Sequence, residues 1–98
     1  MKEENAAIDR SIGERMNLAI SRLSQADISD DDKAKVRQKL MATQSAWSAY
    51  RSIACEAVVV YWGGADDSKL EYFNCMREHA LSRLADLVPY LPEQAVAR

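Results

Sequence analysis

Residues 33–64 read KAKVRQKLMATQSAWSAYRSIACEAVVVYWGG, and the longest predicted element of the chain lies in this stretch. Glycine and proline, the residues that most often interrupt helices, are absent from residues 14–62, after which Gly63 and Gly64 stand together. Mostly apolar side chains recur every three or four positions on one stripe, namely Val36, Leu40, Thr43, Trp47, Tyr50, Ala54 and Val58. The pattern predicts one long helix that stops at the two glycines. A short extended end over residues 58–62 is the alternative, because these residues are β-branched or aromatic.

A shorter helix is predicted on each side of the long one. The first runs from about Glu4 to Ser24, on the helical spacing of Ile8, Ile12, Met16, Ala19 and Leu23. A turn follows, in which Ser29 and Asp32 have the spacing of a helix-capping box. The third begins at residues 66–68, ends before Pro89 and Pro92, and has an inner stripe of Leu70, Phe73, Ala80, Leu84 and Leu87. We therefore predict an all-α, three-helix, up-down-up domain over residues 1–98, with its core in about 5–90 and a frayed C-terminal tail.

The composition excludes two broad classes of function. The 98 residues carry a formal net charge of −2 without a long basic cluster, which excludes the usual nucleic-acid footprint. The longest apolar run, residues 57–62, is far shorter than the roughly 20 residues needed to cross a membrane. Residues 1–5 lack the apolar segment of a signal peptide, so the chain is either cytosolic or exported after removal of a signal.

The two cysteines indicate a disulfide within the hairpin of the second and third helices. Cys55 and Cys75 are equidistant from residue 65, directly after the two glycines, so antiparallel helices would place them opposite each other. Two buried thiols are the alternative. A structural zinc site is not expected, since two Cys and one His leave the metal one ligand short.

Residues 40–55 resemble the signature of the lysozyme inhibitor LprI-like family, which is close to L-x-x-x-Q-x-x-W-x-x-Y-R-x-x-x-C followed by a Gly-containing loop and a second Cys. The matching positions are Leu40, Gln44, Trp47, Tyr50, Arg51, Cys55, Gly63, Gly64 and Cys75. Residues 16–23 resemble an upstream family element, and residues 83–87 fit the last element loosely. Many members have a further cysteine pair near the N-terminus that this chain lacks, so packing alone would hold the first helix.

The resemblance implies a periplasmic or secreted helical protein with a disulfide and, for some members, inhibition of lysozyme. We therefore expect a protein partner, either a lysozyme or a peptidoglycan-degrading toxin of a rival bacterium. In the second case the chain would be an immunity protein. The alternative from another functional class is an envelope adaptor or structural domain that binds a partner without inhibiting it. A cytosolic helical protein with free thiols would require the resemblance to be accidental.

Catalysis, a cofactor and a resident metal are not expected. The single histidine, His79, is flanked by Arg77 and Glu78 and is predicted to face Arg51, which is neither a nucleophile nor a base. Gly63 and Gly64 lack the Lys-Ser/Thr of a phosphate-binding loop.

The densest cluster of conspicuous residues is interpreted as structural. Trp47 and Tyr50, three positions apart, would share a face of the long helix and pack in the core. Arg51 would lay its stem on these rings and either pair with a carboxylate such as Glu78 or cap a carbonyl. Gln44 would form hydrogen bonds that tie helices together.

The candidate partner-binding site is the hairpin turn, made of Tyr61, Trp62, Gly63, Gly64, Asp66 and Asp67. Protein-binding hot spots favour Trp and Tyr, and a turn held by a disulfide loses less entropy on binding. The alternative is that the two aromatic residues fold back over the end of the core. A homodimer is also conceivable, since Val59 and Leu91 have no evident partner in three short helices.

Overall fold

The structure is a computed structural model that describes residues 2–64 and 66–91. Helix α1 spans Lys2–Leu23, α2 spans Asp30–Tyr61 and α3 spans Asp66–Asp86, followed by a short 3-10 helix at Val88–Tyr90. The described residues contain no strand, so the predicted all-α, up-down-up fold is confirmed. The predicted frayed tail and Pro92 lie outside the described residues. None of the described helices combines the length and apolar character required to cross a membrane.

The start of α2 follows from its capping residues. The Ser29 hydroxyl accepts a hydrogen bond from the backbone N–H of Asp32 at 3.1 Å, which satisfies one of the free donors of the first turn. Acidic residues at positions 30–32 lie at the positive end of the helix dipole. The predicted cap is thus present.

The end of α2 is helical rather than extended. Residues 58–61 continue the helix, because extending a helix that has already formed costs a β-branched residue only a few tenths of a kcal/mol. The end is then closed by a Schellman motif: Gly64 N–H donates to Val59 O at 3.3 Å and Gly63 N–H donates to Val60 O at 3.0 Å. Both glycines have φ near +70° (71° and 72°), where a side chain would be strained. The chain therefore reverses at the predicted place.

The core lies where α1 joins the α2–α3 hairpin. Its buried members come from all three helices and the segment after α3: Ile12, Met16, Ala19, Leu40, Ala80 and Leu87. Half-buried residues complete it, namely Ile8, Ile20, Val36, Trp47, Leu84 and Leu91. The fold is long and flat, with principal extents of 52 × 27 × 15 Å.

Besides Thr43, two residues of the predicted stripes are exposed, Leu70 and Tyr50. Leu70 is half exposed, because α1 begins beside the part of α3 that contains it. The side-chain N–H of Asn5, near the start of α1, donates to Phe73 O at 3.2 Å. Leu70 therefore has a neighbouring helix on one side only. Tyr50 is 61% exposed, because it lies on the flank of α2 away from α1. The prediction of core packing for both residues is wrong.

The disulfide is formed as predicted. Cys55 is fully buried and is bonded to Cys75, with the two Cα atoms 5.6 Å apart, a usual separation for a disulfide. The bond joins α2 to α3 two to three helical turns below the glycine turn. It fixes the base of the hairpin end that carries the candidate binding residues.

Candidate functional site

Arg51 connects the long helix to α1. Its guanidinium donates to both carboxylate oxygens of Asp9, at 2.9 and 3.2 Å, and lies 4.4 Å from the centre of the Trp47 ring. The predicted packing against an aromatic ring and the predicted pairing with a carboxylate are both present, but the carboxylate is Asp9 and not the suggested Glu78. Glu78 is exposed on α3 and accepts a hydrogen bond from its neighbour Arg77 instead. The Arg51 side chain points towards α1, where Asp9 is the available carboxylate.

Gln44 joins α2 to α3 through a buried arginine that the sequence analysis did not single out. Arg83 donates from Nε to Gln44 Oε1 at 2.9 Å and from Nη2 to Thr43 Oγ1 at 3.0 Å. Arg83 is buried. No carboxylate of the described residues lies within 4.0 Å of its guanidinium. Neutral oxygens thus solvate this cation, which makes Gln44 an acceptor at the centre of the helix interface.

His79 lies beside the disulfide and contacts Tyr50 rather than Arg51. The two rings meet edge to face with 5.3 Å between their centres. A ring nitrogen of His79 and the sulfurs of Cys55 and Cys75 fall within 4.8 Å of one another. Since the two sulfurs are bonded to each other, neither is a thiolate that could bind a metal or act as a nucleophile.

The hairpin turn presents its aromatic and acidic side chains to solvent. Tyr61 is 84% exposed and Trp62 is 43% exposed, and their rings are in edge contact at 6.0 Å. Asp66 and Asp67, in the first turn of α3, are also exposed. Tyr61 does not fold back over the core, and the Trp62 side chain is itself partly exposed. The six candidate residues therefore lie together at one end of the molecule.

An open cleft of about 560 Å³ adjoins this turn. Its lining includes Val59 of α2, Gly64 and Asp66 of the turn, and the aromatic residues Tyr72 and Phe73 of α3. The apolar walls of the cleft are joined by two side chains of opposite charge, Asp66 and Lys69. It is large enough to accept a side chain from a protein docked against the turn.

A second exposed surface, not predicted from the sequence, lies along α2. We name it the outer stripe, and its members are Ala42, Ala46, Ala49, Tyr50, Ile53, Ala57, Val60 and Tyr61. All eight are exposed, with Ile53 at 68% and Val60 at 79%. Their spacing of three and four residues is visible in the sequence. The buried stripe of the same helix has the same period, so the spacing alone does not show that this second stripe is exposed.

The fold and this end of the molecule define a small disulfide-bonded helical domain whose exposed aromatic and acidic groups cluster at a rigid turn. The model of the family described as Lysozyme inhibitor LprI matches residues 1–87, and the chain therefore belongs to that family. The family resemblance predicted from the sequence is confirmed. Comparison with curated proteins found no match, and comparison with solved structures found none either. Membership in a lysozyme-inhibitor family implies, in general terms, action by binding a protein.

Proposed function

We propose that this protein inhibits a peptidoglycan-degrading enzyme by docking its hairpin turn into the enzyme's substrate cleft. The observation that carries the proposal is the family match over residues 1–87. The exposed turn supplies a surface suited to that function, because it combines two aromatic residues with two carboxylates on a backbone fixed by a Schellman motif and a disulfide.

The proposed mode of inhibition is steric. Enzymes that cleave glycan chains hold the substrate in a groove with catalytic carboxylates on either side of the scissile bond. Tyr61 and Trp62 would stack in that groove as sugar rings do, while Asp66 and Asp67 would meet cationic side chains at its rim. Little ordering entropy would be lost on binding, since the disulfide and the two glycine conformations are already set in the free protein.

We also propose that the protein acts outside the cytoplasm, in the periplasm or as a secreted protein. The disulfide supports this location, because such bonds persist in oxidising compartments and are rare in the cytosol. The target enzymes and their substrate are found in the same compartment.

Inhibition assays with the turn altered would test the proposal. Lysozyme activity on peptidoglycan is measured against increasing amounts of the oxidised protein, and the assay is repeated with a panel of bacterial muramidases and amidases. Trp62→Ala and the pair Asp66→Asn with Asp67→Asn should each weaken inhibition by about tenfold or more, the scale of a hot-spot residue. The pair Asp30→Asn with Asp31→Asn is the matched control, because it removes the same charge from the opposite end of α2 and should leave inhibition unchanged.

Four outcomes separate the alternatives. Inhibition of lysozyme supports the proposal, whereas inhibition confined to a bacterial hydrolase identifies an immunity protein. Unchanged kinetics for every enzyme at micromolar excess would refute the inhibitor function and favour an envelope adaptor. Equal loss of inhibition in the turn variants and the matched control would move the binding surface elsewhere.

A further inference from the structure

The outer stripe of α2 is an apolar helix face that stays exposed among residues 2–64 and 66–91, apart from the edge contact of Tyr50 with His79. Its eight residues lie within about one third of the helix circumference and extend about 28 Å, from Ala42 to Tyr61, at 1.5 Å per residue. None of the eight is charged, and all are exposed. A continuous exposed apolar surface of this kind on a small protein marks a contact with another molecule.

The two ends of the stripe are complementary in size when a second copy lies antiparallel to it. The N-terminal end of the stripe has the small residues Ala42, Ala46 and Ala49, and its C-terminal end has the bulky residues Val60 and Tyr61. Tyr50 and Ile53 lie near its middle, and Ala57 lies between them and the bulky end. A two-fold axis near residues 51–52 places Tyr61 of one copy against Ala42 of the other. The same register sets Ile53 against the partner's Tyr50 and Ala57 against the partner's Ala46. A parallel arrangement would instead set Tyr61 against Tyr61 at one end of the stripe and Ala42 against Ala42 at the other, which crowds the first end and leaves a gap at the second.

The charges at the two ends of the stripe agree with the same arrangement. Lys35 and Lys39 precede it on the same side of α2, and both are exposed and form no ion pair with the described residues. Asp66 and Asp67 lie just beyond its other end, at the glycine turn. In the antiparallel pair the two lysines of each copy face the turn of the other. A parallel pair would bring lysine to lysine and aspartate to aspartate.

We propose that two copies of this chain associate through the outer stripe as an antiparallel, two-fold symmetric dimer. Symmetric dimers use one self-complementary patch on both subunits, which the sizes and charges of this helix face provide. A single helix pair about 28 Å long is at the small end of specific interfaces, so we expect a dissociation constant on the order of micromolar. The dimer is centred on α2, and its residues differ from Val59 and Leu91, both of which are half-buried within the chain.

The dimer would also cover part of the hairpin turn, and this consequence rests on the proposed function. Tyr61 belongs to both surfaces, and the partner's lysines would neutralise Asp66 and Asp67. Binding of the target enzyme and self-association would therefore exclude each other. The protein would then be stored as a dimer and act as a monomer, with a switch set by its concentration.

Sedimentation equilibrium across the micromolar range, with the oxidised full chain, tests the dimer directly. Ile53→Glu should weaken association about tenfold or more, because it buries a charge at the centre of the stripe. Met41→Glu is the matched control: Met41 is an exposed apolar residue of α2 outside the stripe, and its replacement should leave the dimer intact. Circular dichroism melting curves confirm that each variant is folded.

A charge-reversal experiment tests the orientation independently of the proposed function. One variant carries Lys35→Glu with Lys39→Glu, and the other carries Asp66→Lys with Asp67→Lys. Each alone should be mainly monomeric, because like charges face each other at both ends of the dimer. An equimolar mixture should form the heterodimer, in which every facing pair is again of opposite charge. A wild-type chain that stays monomeric throughout, association unaffected by Ile53→Glu, or a mixture that fails to associate would each overturn the proposal.

Discussion

Removal of the Asp9 carboxylate should destabilise the fold by about 1.5 kcal/mol, a value between those of surface and buried ion pairs. The Arg51 side chain is 10% exposed, and the Asp9 side chain is 42% exposed. Exposed pairs contribute roughly 0.2–1 kcal/mol, whereas the loss of one partner of a fully buried pair costs roughly 3–5 kcal/mol. Asp9→Asn leaves the buried guanidinium with a neutral acceptor, so the cost lies towards the lower of these ranges.

Arg51→Met should cost more, about 2.5 kcal/mol. It loses the same two hydrogen bonds and, in addition, the contact with the Trp47 ring, a cation–π interaction of roughly 0.5–1 kcal/mol at a partly exposed site. The methionine keeps most of the apolar stem, so the packing loss is small. Asp9, left alone, is sufficiently exposed to be solvated by water. The two single changes therefore share one interaction, and the double variant should cost about 2.5 kcal/mol rather than about 4.

Urea denaturation of the oxidised protein, wild type and three variants, measures the coupling energy through a double-mutant cycle. We expect a coupling of about 1.5 kcal/mol for this pair. The matched control is the cycle for Glu4 and Arg77, whose atoms are 3.4 Å apart on the surface, with an expected coupling below about 0.5 kcal/mol. Equal coupling in the two cycles would refute the reasoning, since burial of the Arg51 guanidinium is its basis.

Two further changes test the α2–α3 interface. Gln44→Leu should destabilise the fold by about 2 kcal/mol, because it deprives the buried Arg83 cation of an acceptor. Gln44→Glu keeps an acceptor and should stay within about 1 kcal/mol of wild type. Equal losses of unfolding free energy for the two variants in urea denaturation would contradict this. Reduction of the Cys55–Cys75 bond, which joins residues 20 positions apart, should lower the free energy of unfolding by about 3 kcal/mol on the chain-entropy model. Comparison of the urea midpoints of the oxidised and reduced proteins measures that loss, and coincident midpoints would show that the bond contributes nothing.

The hairpin was predictable because its signals are local. The two glycines stand directly after a glycine-free helical pattern, and the cysteines are equidistant from the turn, so one observation supports the other. The helix bounds of α1, predicted as about residues 4–24 and observed as Lys2–Leu23, agree for the same reason. Side-chain periodicity and turn residues determine such features without knowledge of the rest of the fold.

The partners of the buried arginines were not predictable in the same way. Arg51 could have met any of the 15 acidic residues of the chain, and the choice of Asp9 depends on how α1 docks against the hairpin. Leu70 shows the same limit: periodicity identifies the side of a helix, but the cover on that side depends on where the neighbouring helix begins. The outer stripe has the same period as the core stripe, so the sequence alone does not tell which of the two is exposed.

The elongated shape has consequences for how the protein behaves in solution. With extents of 52 × 27 × 15 Å, the molecule diffuses more slowly than a sphere of 11.0 kDa, and it should leave a gel-filtration column early even as a single chain. Retention volume by itself would therefore overstate the mass. Helix α2, about 48 Å long, nearly matches the longest extent, so its backbone N–H bonds point along the long axis. Their ¹⁵N relaxation rates should report the slow end-over-end rotation. A second molecule lying side by side with the first would slow that rotation much less than a second molecule joined end to end.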